Sequence, residues 1–297
     1  MQSEKSWKIL GGRVVQPSPF LVMGVLNITP NSFYDGGIYD SESTATQQAR
    51  TLFDQGADIV DMGGESTRPF SERVSLEEER SRVLPVLENI RQELFDPLIS
   101  VDTYKADMAK EALEAGASVI NDVSACSFDP ALRDIIADYK PGYILMHSKG
   151  RPEDMQKDPC YDDVIGEIKG FFEQKLKDLT AAGLPEDNIV LDPGIGFGKT
   201  LEHNLTIMKN VREFLSLGRP LFAGLSNKSV WQKLLGLDPE ERGNVTQVAT
   251  ALMAEKGVSM HRVHEVDLTV QTLEVVKQIT EDRRQMTEDG SQQSGRP

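Results

Sequence analysis

Short apolar runs recur at residues 21–26, 59–62, 98–101, 118–120, 143–146, 189–191, 221–225 and 260–263. Each is too short for a buried helix and is bounded by polar or glycine-containing stretches. Each therefore reads as a strand covered on both faces. Segments of helical period lie between them, at 44–55, 76–93, 105–115, 130–137, 161–182, 206–215 and 245–256. Several stop at a glycine suited to a helix C-terminus: Gly56, Gly116, Gly183 and Gly257. Strands and helices alternating in this way predict a parallel sheet. The expected fold is α/β, a single (β/α)8 TIM barrel, with a doubly wound open sheet as the alternative. Residues 1–19 should hold a short hairpin, around Gly11-Gly12, that caps the barrel over residues 20–280. Residues 281–297, polar and rich in Gly and Ser, should form a disordered tail.

Barrels of this kind carry their sites at the C-terminal ends of the strands. Here those ends hold Asn27, Asp61, Asp102, Asn121, His147, Asp192, Ser226 with Lys228, and Arg262 with His264. Turn chemistry accounts for any one of them alone, but not for a polar group at all eight. A binding site at that face follows.

Composition limits what the site can meet. With 47 acidic against 32 basic side chains the net charge is −15, so no nucleic acid and no anionic membrane is an expected partner. A few well-placed cations still suffice for a small anionic substrate. Cys126 and Cys160 have no metal-ligand spacing and suit free thiols in a reducing compartment. No apolar run has membrane-spanning length, so a soluble, cytoplasmic protein is expected. The stretch Leu191-Asp-Pro-Gly-Ile-Gly-Phe-Gly-Lys199 resembles a phosphate loop only at first sight. Pro193 stands where that pattern needs Gly, and Lys199 breaks the dinucleotide pattern.

The polar strand ends fall into two halves. Asp102, Asn121, Asp192 and Lys228 suit a flat heterocycle with adjacent N–H donors, such as an amino-pyrimidinone edge. The alternative is an Asp–Lys ion pair tying strands together. Asn27, Arg68, Arg262 and His264 suit phosphate oxygens, with Asn27 as a possible oxygen ligand for Mg²⁺. The glycine-containing stretches 29–37 and 63–72 read as closing lids or as plain turns. Glu77-Glu78-Glu79-Arg80 reads as a solvated helix face. His147 either lines the site or packs in its wall, and His203 and His261 read as structural or exposed.

These residues carry a family resemblance. Gly24-Val-Leu-Asn-Ile-Thr-Pro-Asn-Ser-Phe-Tyr-Asp-Gly-Gly37, Gly63-Gly-Glu-Ser-Thr-Arg-Pro69, Ser100-Val-Asp-Thr103, Ile120-Asn-Asp-Val123 and Met146-His-Ser-Lys-Gly150 resemble dihydropteroate synthase. So do residues 191–199, Gly224-Leu-Ser-Asn-Lys-Ser229 and Arg262-Val-His-Glu-Val266. The match runs in order over about residues 20–280. It implies a (β/α)8 homodimer that joins 6-hydroxymethyl-7,8-dihydropterin pyrophosphate to p-aminobenzoate with Mg²⁺, releasing pyrophosphate by a dissociative route. It implies that Asp102, Asn121, Asp192 and Lys228 hold the pterin, and that Asn27, Arg68, Arg262 and His264 hold the metal-pyrophosphate. Arg68, Asp102, Lys228, Arg262 and His264 are then the catalytic set. Thr67, Pro69, Phe197 and Ser229 would line the p-aminobenzoate slot, where sulfonamides would compete.

The chain departs from the family pattern at a few points. Asn31 and Tyr34 stand in the first loop where Asp and Ser are usual. Asn227 replaces the Arg of the usual Ser-Arg-Lys-Ser, removing a cation near the p-aminobenzoate carboxylate. Phe70 and Glu265 also differ. The readings that compete with catalysis are a pterin-binding paralogue without coupling activity and a pterin-dependent methyltransferase. The retained Arg262 and His264 argue against the second, since methyl transfer has no pyrophosphate to hold.

Overall fold

The computed structural model describes residues 6–28, 38–67 and 71–292. At the N-terminus, β1 (Trp7–Lys8) and β2 (Val14–Val15) pair antiparallel around a 3-10 turn at Leu10–Gly12. Gly11 and Gly12 take φ of 73° and 75°, left-handed values that a side chain would strain. Strands and helices then alternate: β3 (Leu21–Asn27), α1 (Ile38–Asp54), β4 (Ile59–Gly63), α2 (Leu76–Glu93), β5 (Ile99–Asp102) and α3 (Ala106–Glu114). They continue with β6 (Val119–Asp122), α4 (Leu132–Tyr139), β7 (Gly142–Met146), α5 (Val164–Ala182), β8 (Ile189–Asp192) and α6 (Leu201–Asn210). Last come β9 (Phe222–Gly224), α7 (Ser229–Leu235), α8 (Gly243–Glu255), β10 (Met260–Val263) and α9 (Val266–Gln292).

The eight later strands lie parallel in the order β8-β7-β6-β5-β4-β3-β10-β9. A parallel bridge from Leu191 to Leu221, with the Leu191 amide donating to Pro220 O at 3.0 Å, brings β8 onto β9. The sheet is thus a barrel and not the open alternative. The chain differs from the pattern reading mainly late in the sequence. Two helices, α7 and α9, were not delimited in the pattern reading. The helix expected at 206–215 begins instead at Leu201, where Thr200 and His203 form a capping box, and gives way to a 3-10 segment at Val211–Leu217. Helix α9 continues to Gln292, past the expected boundary at 281, and residues 293–297 lie outside the described residues.

What positions the site is the alternation of side chains along each strand. Met23, Ile59, Val119, Ile144, Val190, Phe222 and Met260 point inward at one level and form a closed apolar cluster. Trp7 and Ile9 of the hairpin plug it from below, both buried. The Trp7 indole donates to Asn188 O at 2.8 Å. A Cβ on Gly142 would come within 2.7 Å of both Trp7 and Ile9, so glycine there is what lets the plug seat. Two residues further along the same strands stand Asp61, Asn121, Met146, Asp192, Gly224 and Arg262. On β4, β6, β8 and β10 the period of two therefore converts an apolar floor into polar groups within one step of the strand.

The helix face at 77–80 corrects one expectation. Glu79 is buried and pairs with Lys105, which also holds Glu65 at 2.5 Å. Glu79 precedes Val83, Val86 and Ile90 on the buried stripe of α2, so its spacing turns it inward while Glu77 and Glu78 face solvent.

Candidate active site

Four strand ends meet over the apolar floor. Arg262 crosses the barrel mouth: its Nε donates to Asp61 Oδ2 at 2.6 Å and its Nη2 donates to Asp102 Oδ2 at 3.0 Å. Asn121 donates from Nδ2 to the same Asp61 oxygen at 3.1 Å. Asp61 is wholly buried, and its Oδ1 has no hydrogen-bond partner. Burial pushes the Asp102 carboxyl up to about 7. Arg262 pulls it back, while the charges of Asp61, Glu79 and Asp122 add to the rise. Burial likewise pushes Asp192 up to about 6, against the Gly194 amide, which donates to its Oδ1 at 2.7 Å, and the charge of Lys228. Lys228 is pulled down to about 8 by burial, and Asp192 opposes the shift. Three buried carboxylates and two cations at one mouth leave the carboxylates under-supplied with N–H donors. They are poised to accept more.

The loop after β8 forms the far wall. Gly194, Gly196 and Gly198 all have positive φ, and a Cβ at Gly194 or Gly198 would strike His147 O or Lys149 O. Phe197 is buried, and its ring centre lies 4.1 Å from the Lys228 ammonium. Lys199 is also fully buried. Its Nζ donates to Gly194 O at 2.9 Å, Phe197 O at 2.9 Å and His147 O at 3.2 Å, and lies 3.0 Å from His147 Nδ1. His147 is therefore a wall residue, held neutral by burial and by the Lys199 charge. His203 caps α6 and His261 is buried in the barrel wall, as expected.

Of the remaining expected residues, Asn27, Thr67, Ser229 and His264 lie at strand ends or on the segments that follow them. Asn27 ends β3 exposed, its Cα partnered with Gly63 of β4. His264 follows β10 and is half-buried, with Nδ1 3.0 Å from Ser226 Oγ. Thr67 is half-buried, and Ser229 is the half-buried first residue of α7. Arg68, Pro69, Asn31 and Tyr34 lie outside the described residues. Asn227 is exposed with φ of 56°, a left-handed conformation that Asn adopts more readily than Arg. Arg242 secures that turn by donating from Nη1 to Asn227 O at 3.1 Å. The sequence reading set Asp61 and Ser226 among the polar strand ends without a specific role, and gave Lys199 none.

A family model described as pterin binding enzyme matches residues 23–264. The dihydropteroate synthase of Bacillus subtilis is 46% identical, covering 83% of this chain and 84% of its own. Among solved structures, Yersinia pestis dihydropteroate synthase in a sulfonamide drug complex superimposes with a TM-score of 0.85 at 38% identity, covering 91% of this chain and 98% of that one. Xanthomonas albilineans dihydropteroate synthase with 4-aminobenzoic acid gives a TM-score of 0.86 at 36% identity, covering 93% and 99%. The chain thus belongs to the pterin-binding enzymes and, within that barrel class, to the dihydropteroate synthase family of transferases.

Proposed function

We propose that this protein joins 6-hydroxymethyl-7,8-dihydropterin pyrophosphate to p-aminobenzoate, giving 7,8-dihydropteroate and pyrophosphate. The observation that carries this reading is the buried trio Asp102, Asn121 and Asp192 with the half-buried Lys228 over an apolar floor, crossed by Arg262. The pterin's amino-pyrimidinone edge offers the N–H donors that Asp102 and Asp192 lack, Asn121 matches a neighbouring donor–acceptor pair, and Lys228 meets a ring acceptor. Accepting those donors favours the ionised carboxylates and offsets their burial.

The bond between the pterin methylene carbon and the pyrophosphate oxygen then breaks, and its electron pair leaves with the pyrophosphate. The electron-rich dihydropterin stabilises the carbocation left behind. Arg262, with Arg68 and His264, donates to the oxygens on which charge develops. The aniline nitrogen of p-aminobenzoate, held among Thr67, Pro69, Phe197 and Ser229, forms the new C–N bond and loses a proton. Lids at 29–37 and 63–72 would exclude water from the cation meanwhile.

Among the described residues no group of three His, Cys, Asp or Glu could hold a metal ion. A Mg²⁺ carried by pyrophosphate needs few protein oxygens, and the Asn27 amide at the exposed end of β3 is a hard donor of the right kind. When bound, the ion would neutralise charge on the departing group.

Asn227 leaves the p-aminobenzoate carboxylate without the cation usual in the family. A weaker grip on that substrate, and on sulfonamides competing for its slot, is the expected consequence. Val248 and Leu252 on α8, with Leu268, Val275 and Ile279 on the adjoining α9, stay exposed and suit a homodimer. Light scattering that reads the mass of one chain at micromolar concentration would overturn the dimer. Free thiols at Cys126 and Cys160 fit the cytoplasm.

The deciding assay supplies the dihydropterin pyrophosphate and Mg²⁺, with and without p-aminobenzoate, and follows both products. Equal yields of pyrophosphate and dihydropteroate are expected, with Asp192→Ala lowering kcat/KM by about 10²–10³-fold. Pyrophosphate without dihydropteroate would refute the aniline half. Tight pterin binding without either product would leave the non-coupling paralogue.

A further inference from the structure

Lys199 is a fully buried lysine that the reaction above does not use. Three left-handed glycines turn the 193–198 backbone so that the carbonyls of Gly194 and Phe197 converge, with His147 O from the end of β7, on one point. An ammonium is the side-chain donor that matches such a point, because its three protons are tetrahedrally disposed, whereas a guanidinium is planar and larger. The contact to Phe197 O is direct, at 2.9 Å, and the Phe197 ring in turn lies 4.1 Å from the Lys228 ammonium. The loop has other side-chain ties: the Gly196 amide donates to Asn204 Oδ1, Gln156 Nε2 donates to Gly196 O, and the Tyr161 hydroxyl donates to Gly198 O. None of these reaches residue 197, whose own amide donates to Gly194 O at 3.1 Å within the loop.

We propose that Lys199 is the positioning residue of the p-aminobenzoate slot, its buried ammonium pinning the 193–198 loop so that Phe197 stands against Lys228 at the slot's edge. This rests on the synthase reading given above. Burial draws the Lys199 amine down to about 7, Asp192 opposes that shift, and the three carbonyls it donates to favour the charged form. Lys199 acts on the slot through Phe197. The pterin ring is held chiefly by the strand ends, which the loop reaches only through the Gly194 amide on Asp192 Oδ1 and the Phe197 ring on Lys228, so its binding should depend on the loop less than the slot does.

The test replaces Lys199 by Met, which keeps the length but removes every donor, and by Gln, which keeps two N–H groups. Expected is a rise in the KM for p-aminobenzoate of about tenfold or more for Lys199→Met, the equivalent of one charged hydrogen bond, and a smaller rise for Lys199→Gln. Calorimetric affinity for the dihydropterin pyrophosphate alone should fall by a clearly smaller factor than the KM for p-aminobenzoate rises, since Lys199 reaches Asp192 only through the Gly194 backbone and its charge. In a double-mutant cycle, Lys199→Met or Lys199→Gln added to Phe197→Ala should cost little beyond Phe197→Ala itself. Equal weakening of both substrates, an unchanged KM for p-aminobenzoate, or additive losses in the cycle would each overturn the proposal. If Lys199→Met does not fold, Lys199→Gln carries the same cycle. A wild-type enzyme that binds the pterin but never turns over would instead sink the synthase reading.

Discussion

At Ile59 the barrel interior is closed by hydrocarbon, and at Asp61, one step further on the same strand, it holds a buried carboxylate with an unpartnered oxygen. The same contrast repeats from Val119 to Asn121, from Val190 to Asp192 and from Met260 to Arg262. The floor gains stability by removing apolar surface from water, and its Trp7 indole N–H is satisfied by Asn188 O. The ring above it takes charge out of water and only partly compensates it. That arrangement costs stability and leaves acceptors waiting for a ligand. One barrel therefore separates its two tasks by level, and the separation can be tested from either side.

The largest effect should come from the floor. Trp7 is fully buried beneath Ile144, Val190 and Phe222, and Trp7→Ala opens a cavity and abandons the bond to Asn188 O. A loss of about 3–5 kcal/mol in urea unfolding is expected. In the cold, where the variant stays folded, kcat/KM should remain within about threefold of the parent, since the two levels touch through strands that the substitution leaves in place. A fall in turnover that matched the fall in stability would mean that floor and ring are not separable.

How much of this contrast could be read in advance follows from its physical origin. The alternation along a strand is local, so all eight strand runs and the polar residue closing each were legible in the sequence, as was the hairpin around Gly11-Gly12. The inward turn of Glu79 was misread as part of a solvated face, although its spacing to Val83 and Val86 is that of the buried stripe. The pairing of Arg262 with Asp61 was not legible, because it joins residues 201 positions apart and exists only once β10 meets β3 and β4 around the closed barrel. Lys199 was hidden for another reason. Its partners are backbone carbonyls, which leave no trace in the pattern of side chains. Helix α7 is short and follows the left-handed turn at Asn227, so its period had too few residues to register.

A smaller effect, on function and not on the fold, should come from the ring. Asp61→Asn keeps the shape but removes the charge that Arg262 Nε meets at 2.6 Å. A charged hydrogen bond contributes about 1.5–3 kcal/mol, so kcat/KM for the dihydropterin pyrophosphate should drop by about 10- to 100-fold. The pH profile sharpens the same comparison. In the free enzyme Asp102 must lose its proton to accept from the pterin, so the acid limb of kcat/KM should lie near 7. Asp61 is one of the charges holding that value up, and Arg262, freed from Asp61, would serve Asp102 alone. The limb should therefore move to lower pH in Asp61→Asn. For stability the sign is opposite. Asp102 has a folded pKa above its ordinary 3.8, so the folded state binds the extra proton and stability declines as pH rises from about 4 to about 7. Removing the Asp61 charge lessens that decline, and the melting temperature of Asp61→Asn at pH 8 should equal or exceed the parent's. An acid limb that stayed in place, together with a melting temperature several degrees lower, would make Asp61 a strut of the barrel like Trp7 and erase the distinction between the two levels.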